Sequence, residues 1–132
     1  MRGSAQQWVV FADENLSAAN LLLDNLLLNA CLHNIQQAVE KYLKATLIHF
    51  EKPFKKTHSI RELMIILSNN GIHIEISDDD IDFLDTIYLP TKYPLGSALP
   101  DFYPDKEICE NALAVAKQIQ SQVHQLLASQ NS

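Results

Sequence analysis

Lys41 and Lys44 lie three residues apart in a stretch whose apolar pattern predicts a helix, so their side chains fall on adjacent turns and on the same side. Two ammonium groups held in this way can bind a phosphate group through charge-assisted hydrogen bonds. A solvated helix face produces the same spacing. On spacing alone a solvated helix face is the more common explanation, and a phosphate clamp for a nucleotide at Lys41 and Lys44 is the functional alternative.

Lys92 and Tyr93 form a second candidate pair. They lie between Leu89 and Pro104, a segment that holds four of the five prolines and has no periodicity. Such a segment predicts a long loop, and loops often carry ligand-binding side chains. The Lys92 ammonium can contact a phosphate, and the Tyr93 ring can stack on a base or anchor the turn in the core. Both residues are predicted to bind the nucleotide.

His33 and His58 are candidate accessory residues, because histidine can act as an acid or a base near neutral pH. His33 lies on the polar side of a predicted helix, and His58 precedes another helix, where it can instead help to fix the turn. The other histidines share no metal-ligand spacing with them, so no metal site is predicted. The sequence has no glycine-rich phosphate loop and no nucleophile motif, and no cofactor is predicted.

The charge balance restricts the ligands that the chain can hold. The formal net charge is −6, whereas proteins that bind nucleic acid through its phosphates usually carry a basic excess. General nucleic-acid binding is therefore disfavoured, although a local cationic site stays possible. Cys31 and Cys109 lie in helical patterns without metal-type spacing, which predicts buried, reduced thiols. The leucine-rich stretch Leu21–Leu28 is too short for a membrane span, and without a signal-peptide pattern the expected location is cytoplasmic.

Helical periodicity predicts the elements that position these residues. Ser59-Ile60-Arg61-Glu62 has the form of a capping box, and Asn70-Gly71 is typical of a helix end. The alternating isoleucines that follow predict an extended linker. Three aspartates after Ser77 indicate the first turn of another helix rather than a metal site. The predicted helices are Ala5–Leu28, Cys31–Phe50, Ser59 to Asn70, Ser77 to the proline-rich loop, and Asp105–Ala128.

This order of elements predicts an all-α fold, an up-and-down bundle of four to five helices in one domain. Residues 1–4 resemble a vector-derived leader, residues 5–128 form the bundle, and residues 129–132 are expected to fray.

The first two predicted helices differ in how much of their surface is apolar. The first has a single narrow polar stripe: Asp13, Ser17, Asn20 and Asp24. A helix this apolar is covered on more than one side, so it is either central in the bundle or also contacts a second subunit. The second helix has an inner stripe and an opposite polar side, the latter formed by His33, Gln37, Glu40, Lys41 and Lys44. Glu40 and Lys44 lie four residues apart on this side, and the spacing predicts a surface ion pair that adds a few tenths of a kcal/mol.

Several segments, in this order, resemble the HEPN family of helical domains. Phe11–Ala19 runs into a leucine cluster as the family's first helix does, and Asn34–Ala45 is similar to its lysine-bearing helix. Thr57–Leu63 and Tyr88–Pro94 are similar to the start of its third helix and to its "Y-x-x-x-R-Y-P" turn, with Lys92 in place of the arginine. The resemblance extends from about Ala5 to Leu127.

The resemblance implies a bundle of four or five helices that is usually a homodimer. Some family members are metal-independent RNases with Arg, four to six residues, and then His; others pair with a minimal nucleotidyltransferase or are thought to bind nucleotides. The only arginines here, Arg2 and Arg61, have no histidine at that spacing. We therefore expect a non-catalytic homodimer that binds ATP, GTP or a nucleotidyltransferase. The alternatives are a degenerate RNase toxin that uses His33 or His58, and a purely structural dimerisation domain.

Overall fold

A computed structural model of the chain describes residues 3–54, 56–92 and 104–129. These residues form five helices and no strand, which confirms the predicted all-α bundle. In chain order the helices are α1 (Gly3–Asp24), α2 (Leu28–His49), α3 (Ile60–Asn69), α4 (Asp78–Lys92) and α5 (Lys106–Ser129).

The first helix ends four residues before its predicted boundary, because Leu26 adopts the left-handed conformation with φ of 59°. The amide of Leu27 donates to the carbonyl of Leu22 at 2.8 Å, and the amide of Leu26 donates to that of Leu23 at 3.0 Å. This pair of bonds is a Schellman motif. The chain reverses within three residues, so α2 begins at Leu28 rather than at Cys31.

The same motif ends α2 and α3. Glu51 (φ 57°) and Gly71 (φ 73°) are the residues in the left-handed conformation. The amide of the next residue donates to the carbonyl of Leu47 after Glu51 and to the carbonyl of Leu67 after Gly71, both at 2.9 Å. Gly71 confirms the predicted end of α3. Glu51 and Leu26 carry side chains that disfavour this conformation, so no glycine marks these two ends. The predicted end of α2 at Phe50 still lies within one residue of the observed His49, and only the end of α1 was missed.

The start of α3 confirms half of the predicted capping box. The Ser59 hydroxyl accepts a hydrogen bond from the amide of Glu62 at 3.1 Å. The amide of Ser59 donates to the Thr57 hydroxyl at 3.1 Å. Asp85 of α4 then accepts the amide of Ile60 at 2.6 Å. The N-terminus of α3 is therefore capped by its own serine and by a carboxylate from a neighbouring helix.

The α3–α4 linker, residues 72–77, forms neither a helix nor a strand, which agrees with the predicted linker. The Gln122 side chain of α5 forms two hydrogen bonds with the backbone of Glu75 in this linker. Its amide oxygen accepts from the Glu75 N–H at 2.7 Å, and its amide nitrogen donates to the Glu75 carbonyl at 2.9 Å. Helix α4 then starts with Ser77 as its cap and continues to Lys92. The predicted loop from Leu89 is therefore wrong at its start, because α4 extends three residues beyond that position.

The central helix is α2, which packs against each of the other four helices. Its large buried side chains include Leu32, Ile35, Tyr42, Leu43 and Leu47. The sequence predicted that α1 is either central or in contact with a second subunit. Its position at the edge of the bundle removes the first possibility. Cys31 and Cys109 are buried free thiols, as predicted. Within the described ranges, no helix has the length and apolar character needed to cross a membrane.

Candidate functional site

The candidate site follows the polar side of α2, here named the α2 polar stripe and defined as His33, Gln37, Glu40, Lys41 and Lys44. The sequence placed all five opposite the inner stripe of the helix. Glu40 and Lys44, however, are only 5% and 7% exposed. This part of the stripe is not a solvated face, because Trp8 of α1 and His58 of the α2–α3 loop cover it.

Glu40 is the centre of a buried charge cluster. The Lys44 ammonium donates to its Oε2 at 2.8 Å and lies 5.9 Å from the centre of the Trp8 ring. The Gln36 side chain reaches Oε1 at 3.4 Å. A buried carboxylate needs a cation and hydrogen-bond donors to offset the loss of hydration, and Lys44 and Gln36 supply them.

His58 is the exposed member of this cluster. Its Nδ1 lies 3.2 Å from both carboxylate oxygens of Glu40, and its ring stacks on Tyr88 of α4 at a centroid distance of 5.4 Å. An ionised carboxylate only accepts hydrogen bonds, so the neutral imidazole that bonds to Glu40 has its proton on Nδ1, and Nε2 is then an acceptor. With 53% of the side chain exposed, this geometry suits an imidazole that accepts a proton or a hydrogen bond.

Lys41 lies at the other edge of the stripe. Its ammonium donates to Oδ1 of Asn15 at 2.7 Å, and the amide of Asn15 donates to Oδ1 of Asn34 at 2.9 Å. These residues border a shallow pocket of 220 Å³ between α1 and α2, lined by Phe11, Glu14, Asn15, Ala18, Asn34 and Lys41.

Lys41 and Lys44 therefore have different partners. Lys44 is neutralised by Glu40 beneath Trp8, whereas Lys41 points its charge to the amide side chain of Asn15 on α1. A clamp that used both ammonium groups would first have to break the buried ion pair. The spacing alone did not reveal this, because it does not show which neighbouring helix covers which turn.

His33 is half-buried on the α2 polar stripe. Lys92 is the last residue of α4, and Tyr93 lies outside the described residues. His58 joins the site through Glu40, which the sequence presented only as a surface partner of Lys44.

Exposed apolar side chains lie on the outer side of α1 near both of its ends, and the exposed Glu14 and Ser17 lie between the two groups. The α1 apolar strip is the name used here for Val10, Phe11 and Leu21, which are 43%, 53% and 65% exposed. Leu26 and Leu27, in the turn that follows, are 62% and 54% exposed. Large apolar side chains are therefore exposed at both ends of the outer side of α1, where contact with another molecule would remove them from water.

The polar stripe of α1 packs against α5. Asp13 Oδ1 accepts hydrogen bonds from the hydroxyl of Tyr42, from Gln120 at 3.0 Å and from His124 at 3.2 Å. Burial raises the pKa of Asp13, but these hydrogen bonds and the nearby His124 charge together lower it by a larger amount, so the net pKa is below its usual value. Asp13 and Asn20 of the stripe therefore lie in the contact between α1 and α5, whereas Ser17 and Asp24 are exposed.

Arg61 is engaged elsewhere. Its guanidinium donates to Asp82 at 2.7 Å and to Asp78 at 3.1 Å, which joins the start of α3 to that of α4. The ion pair with Asp78 agrees with a structural role for the aspartate run. In the described ranges Arg61 is the only arginine, and its guanidinium is bound to these two aspartates.

Comparisons with known proteins agree with this architecture. TT1696 from Thermus thermophilus has a similar structure, with a TM-score of 0.73 and 24% identity over 94% of this chain and 98% of that one. ST0689, described as an archaeal HEPN homologue, has a TM-score of 0.69 and 22% identity over 93% and 97% of the two chains. No curated protein matches. At these identities the structures establish the fold. The family profile named HEPN domain matches residues 5–126, and the chain therefore belongs to the HEPN domain family.

Proposed function

We propose that this chain is a non-catalytic binding module that acts as a homodimer and holds a nucleotide or a nucleotidyltransferase. The observation that carries the proposal is the α1 apolar strip. Phe11 and Leu21 expose more than half of their side chains on a helix whose other side already lies in the core. Covering such a strip with an identical strip removes apolar surface from water on both copies.

The oligomeric state tests the homodimer directly. Sedimentation velocity and light scattering should give twice the chain mass for the wild type. Phe11→Ser and Leu21→Ser should each raise the dissociation constant of the dimer at least about tenfold, because each variant removes an apolar side chain whose burial contributes more than ~1.4 kcal/mol. Ile65→Ser is the matched control, because Ile65 is 51% exposed on α3. A monomeric wild type, or equal effects of Ile65→Ser and Phe11→Ser, contradicts the proposal.

The Lys41 pocket supports nucleotide binding. The Lys41 ammonium can bind a phosphate, and the Asn15 and Asn34 amides can bond to polar groups of the ligand. The pocket holds one part of a nucleotide, since its 220 Å³ is below the roughly 300–1,000 Å³ that is usual for small-molecule sites. The remainder of the ligand would lie along α1, at the edge of the proposed dimer contact.

Calorimetric titration with ATP and with GTP tests this site. We expect Lys41→Ala to weaken binding at least about tenfold, because it removes the cation that faces the pocket. Lys117→Ala is a matched control, since Lys117 donates to Asn20 on the same helix as Asn15 but lies outside the pocket. If the wild type gives no binding heat with either nucleotide, the nucleotide part of the proposal is wrong.

The partner part of the proposal rests on the family resemblance. Co-expression with a minimal nucleotidyltransferase encoded beside the gene should give a complex that survives gel filtration. Absence of such a neighbouring gene, or two separate peaks, contradicts it.

A ribonuclease is the second candidate function, and the Glu40–His58 pair favours it. A carboxylate that holds Nδ1 of a half-exposed histidine leaves Nε2 able to take a proton from a ribose hydroxyl. Cleavage of single-stranded RNA by the wild type and by His73→Ala, but not by His58→Ala, would support this function. His73 serves as the control because it is exposed in the α3–α4 linker. RNA that stays intact with the wild type rules the function out.

A further inference from the structure

A groove between α4 and α5 takes no part in the proposed nucleotide site or in the proposed dimer contact. Two adjoining pockets of 280 Å³ and 350 Å³ form it, and both include Asp80 and Val115. Leu84 and Ala112 are buried at its base, while the other apolar side chains are half-buried and open to a ligand. Its apolar lining is Ile76, Phe83, Leu84, Ile108, Ala112 and Val115.

The charged side chains that line this groove are all acidic. Asp80 lies between the two pockets, and Glu75 lies at the end where the α3–α4 linker joins α4. Neither carboxylate forms an ion pair within the part of the chain that the structure describes. No lysine, arginine or histidine of the described ranges lines either pocket, and the remaining polar residues, Ser77, Asn111 and Gln118, are neutral.

The length of the groove limits what fits it. Along α5 it extends from Ile108 to Gln118, which at a rise of about 1.5 Å per residue corresponds to roughly 15 Å, or about three helical turns. An apolar channel of this length between two helices accepts the apolar face of a third helix, with anchors spaced at i, i+3, i+4 and i+7.

We infer that the α4–α5 groove is a docking surface for a basic amphipathic helix of a partner protein. The apolar face of that helix contacts Phe83, Ile108 and Val115. Its lysines or arginines, placed along the border of the apolar face, pair with Asp80 and Glu75. An acidic helix is disfavoured because like charges repel, and a basic helix is favoured over a neutral one because it supplies cations to Asp80 and Glu75. This surface is independent of the proposed dimer, which uses α1.

Fluorescence anisotropy with a labelled helical peptide of leucine and lysine in amphipathic arrangement tests the inference, with the leucine and glutamate analogue as the control peptide. Titration of the full chain at about 0.15 M salt, where distant surface charges are screened, should give saturable binding of the basic peptide only. Asp80→Lys and Glu75→Lys should each weaken that binding at least about tenfold.

Asp24→Lys is the matched protein control, because it changes the net charge by the same amount on an exposed residue at the end of α1. It should leave the affinity unchanged within about twofold, whereas Val115→Gln should weaken it through the apolar contact. Glu75→Lys does not alter the first turn of α4, so it tests the groove even if Asp80→Lys perturbs that helix. Failure of the basic peptide to saturate the wild type, equal binding of the acidic peptide, or equal weakening by Asp24→Lys and Asp80→Lys overturns the inference.

Discussion

Glu40 and Lys44 form a buried ion pair in the second half of α2. The sequence showed them four residues apart and indicated a surface pair that adds a few tenths of a kcal/mol. Burial changes this value, because two charges removed from water need each other and further hydrogen bonds. Gln36 and His58 supply those bonds. The sequence therefore showed that Glu40 and Lys44 could form an ion pair, but not how much that pair contributes to the free energy of unfolding.

Removing one member of this pair should be costly. We expect Glu40→Leu to lower the free energy of unfolding by about 3 kcal/mol, because it leaves the Lys44 charge buried without a partner. The double variant Glu40→Leu/Lys44→Met should recover most of that loss, since no unpaired charge remains. Urea denaturation followed by circular dichroism measures both. Glu110→Leu, on the exposed face of α5, is the control. A loss below about 1 kcal/mol for Glu40→Leu would show that Lys44 reaches water by another route.

At the scale of the helices, polar caps and a glycine identified several boundaries from the sequence. Ser59 and Ser77 are polar caps whose hydroxyls bond the expected amides, and the preference of such residues for this position is a local property. Gly71 likewise identified the end of α3. Leu26 and Glu51 occupy the equivalent left-handed position after α1 and α2 without being glycine. There the surrounding structure imposes the conformation on residues that disfavour it.

Leu26 offers a direct test of that strain. Leu26→Gly should raise the free energy of unfolding by roughly 1 kcal/mol, because glycine adopts positive φ without a Cβ penalty and the lost side chain is 62% exposed. Gly71→Ala should lower it by a similar amount, since a Cβ there meets no atom within 4 Å and only the backbone conformation opposes it. Thermal unfolding of the two variants should thus shift in opposite directions. A less stable Leu26→Gly would mean that contacts of the leucine outweigh the backbone strain.

At the scale of the whole molecule, Asp13 connects three helices through hydrogen bonds. Its carboxylate on α1 accepts hydrogen bonds from Tyr42 on α2 and from Gln120 and His124 on α5. The pKa of Asp13 is lowered in the folded chain. A lowered pKa means that the ionised form is favoured by folding, so the network stabilises the bundle fully above the unfolded-state value of about 3.9. This stabilisation is lost as the pH falls through the lower, folded-state pKa.

Asp13→Asn should therefore destabilise the protein at pH 7 and cost progressively less below about pH 4. Urea unfolding of wild type and variant across that range measures the difference. Asp24→Asn, which removes an exposed carboxylate from the same helix, should show a small difference throughout. If the gap between wild type and Asp13→Asn is the same at low and neutral pH, the ionised carboxylate is not the source of the stabilisation.

The sequence by itself determined the helical class, the HEPN resemblance, most of the helix starts and the pairing of polar and apolar faces. These follow from periodicity and capping, which involve residues within a few positions of one another. The tertiary structure decided which helix is central, that Lys41 and Lys44 have different partners, and that Glu40 holds His58. It also decided that the surplus apolar surface of α1 faces outward. Each of these depends on which helix covers which turn, a contact between residues far apart in the chain.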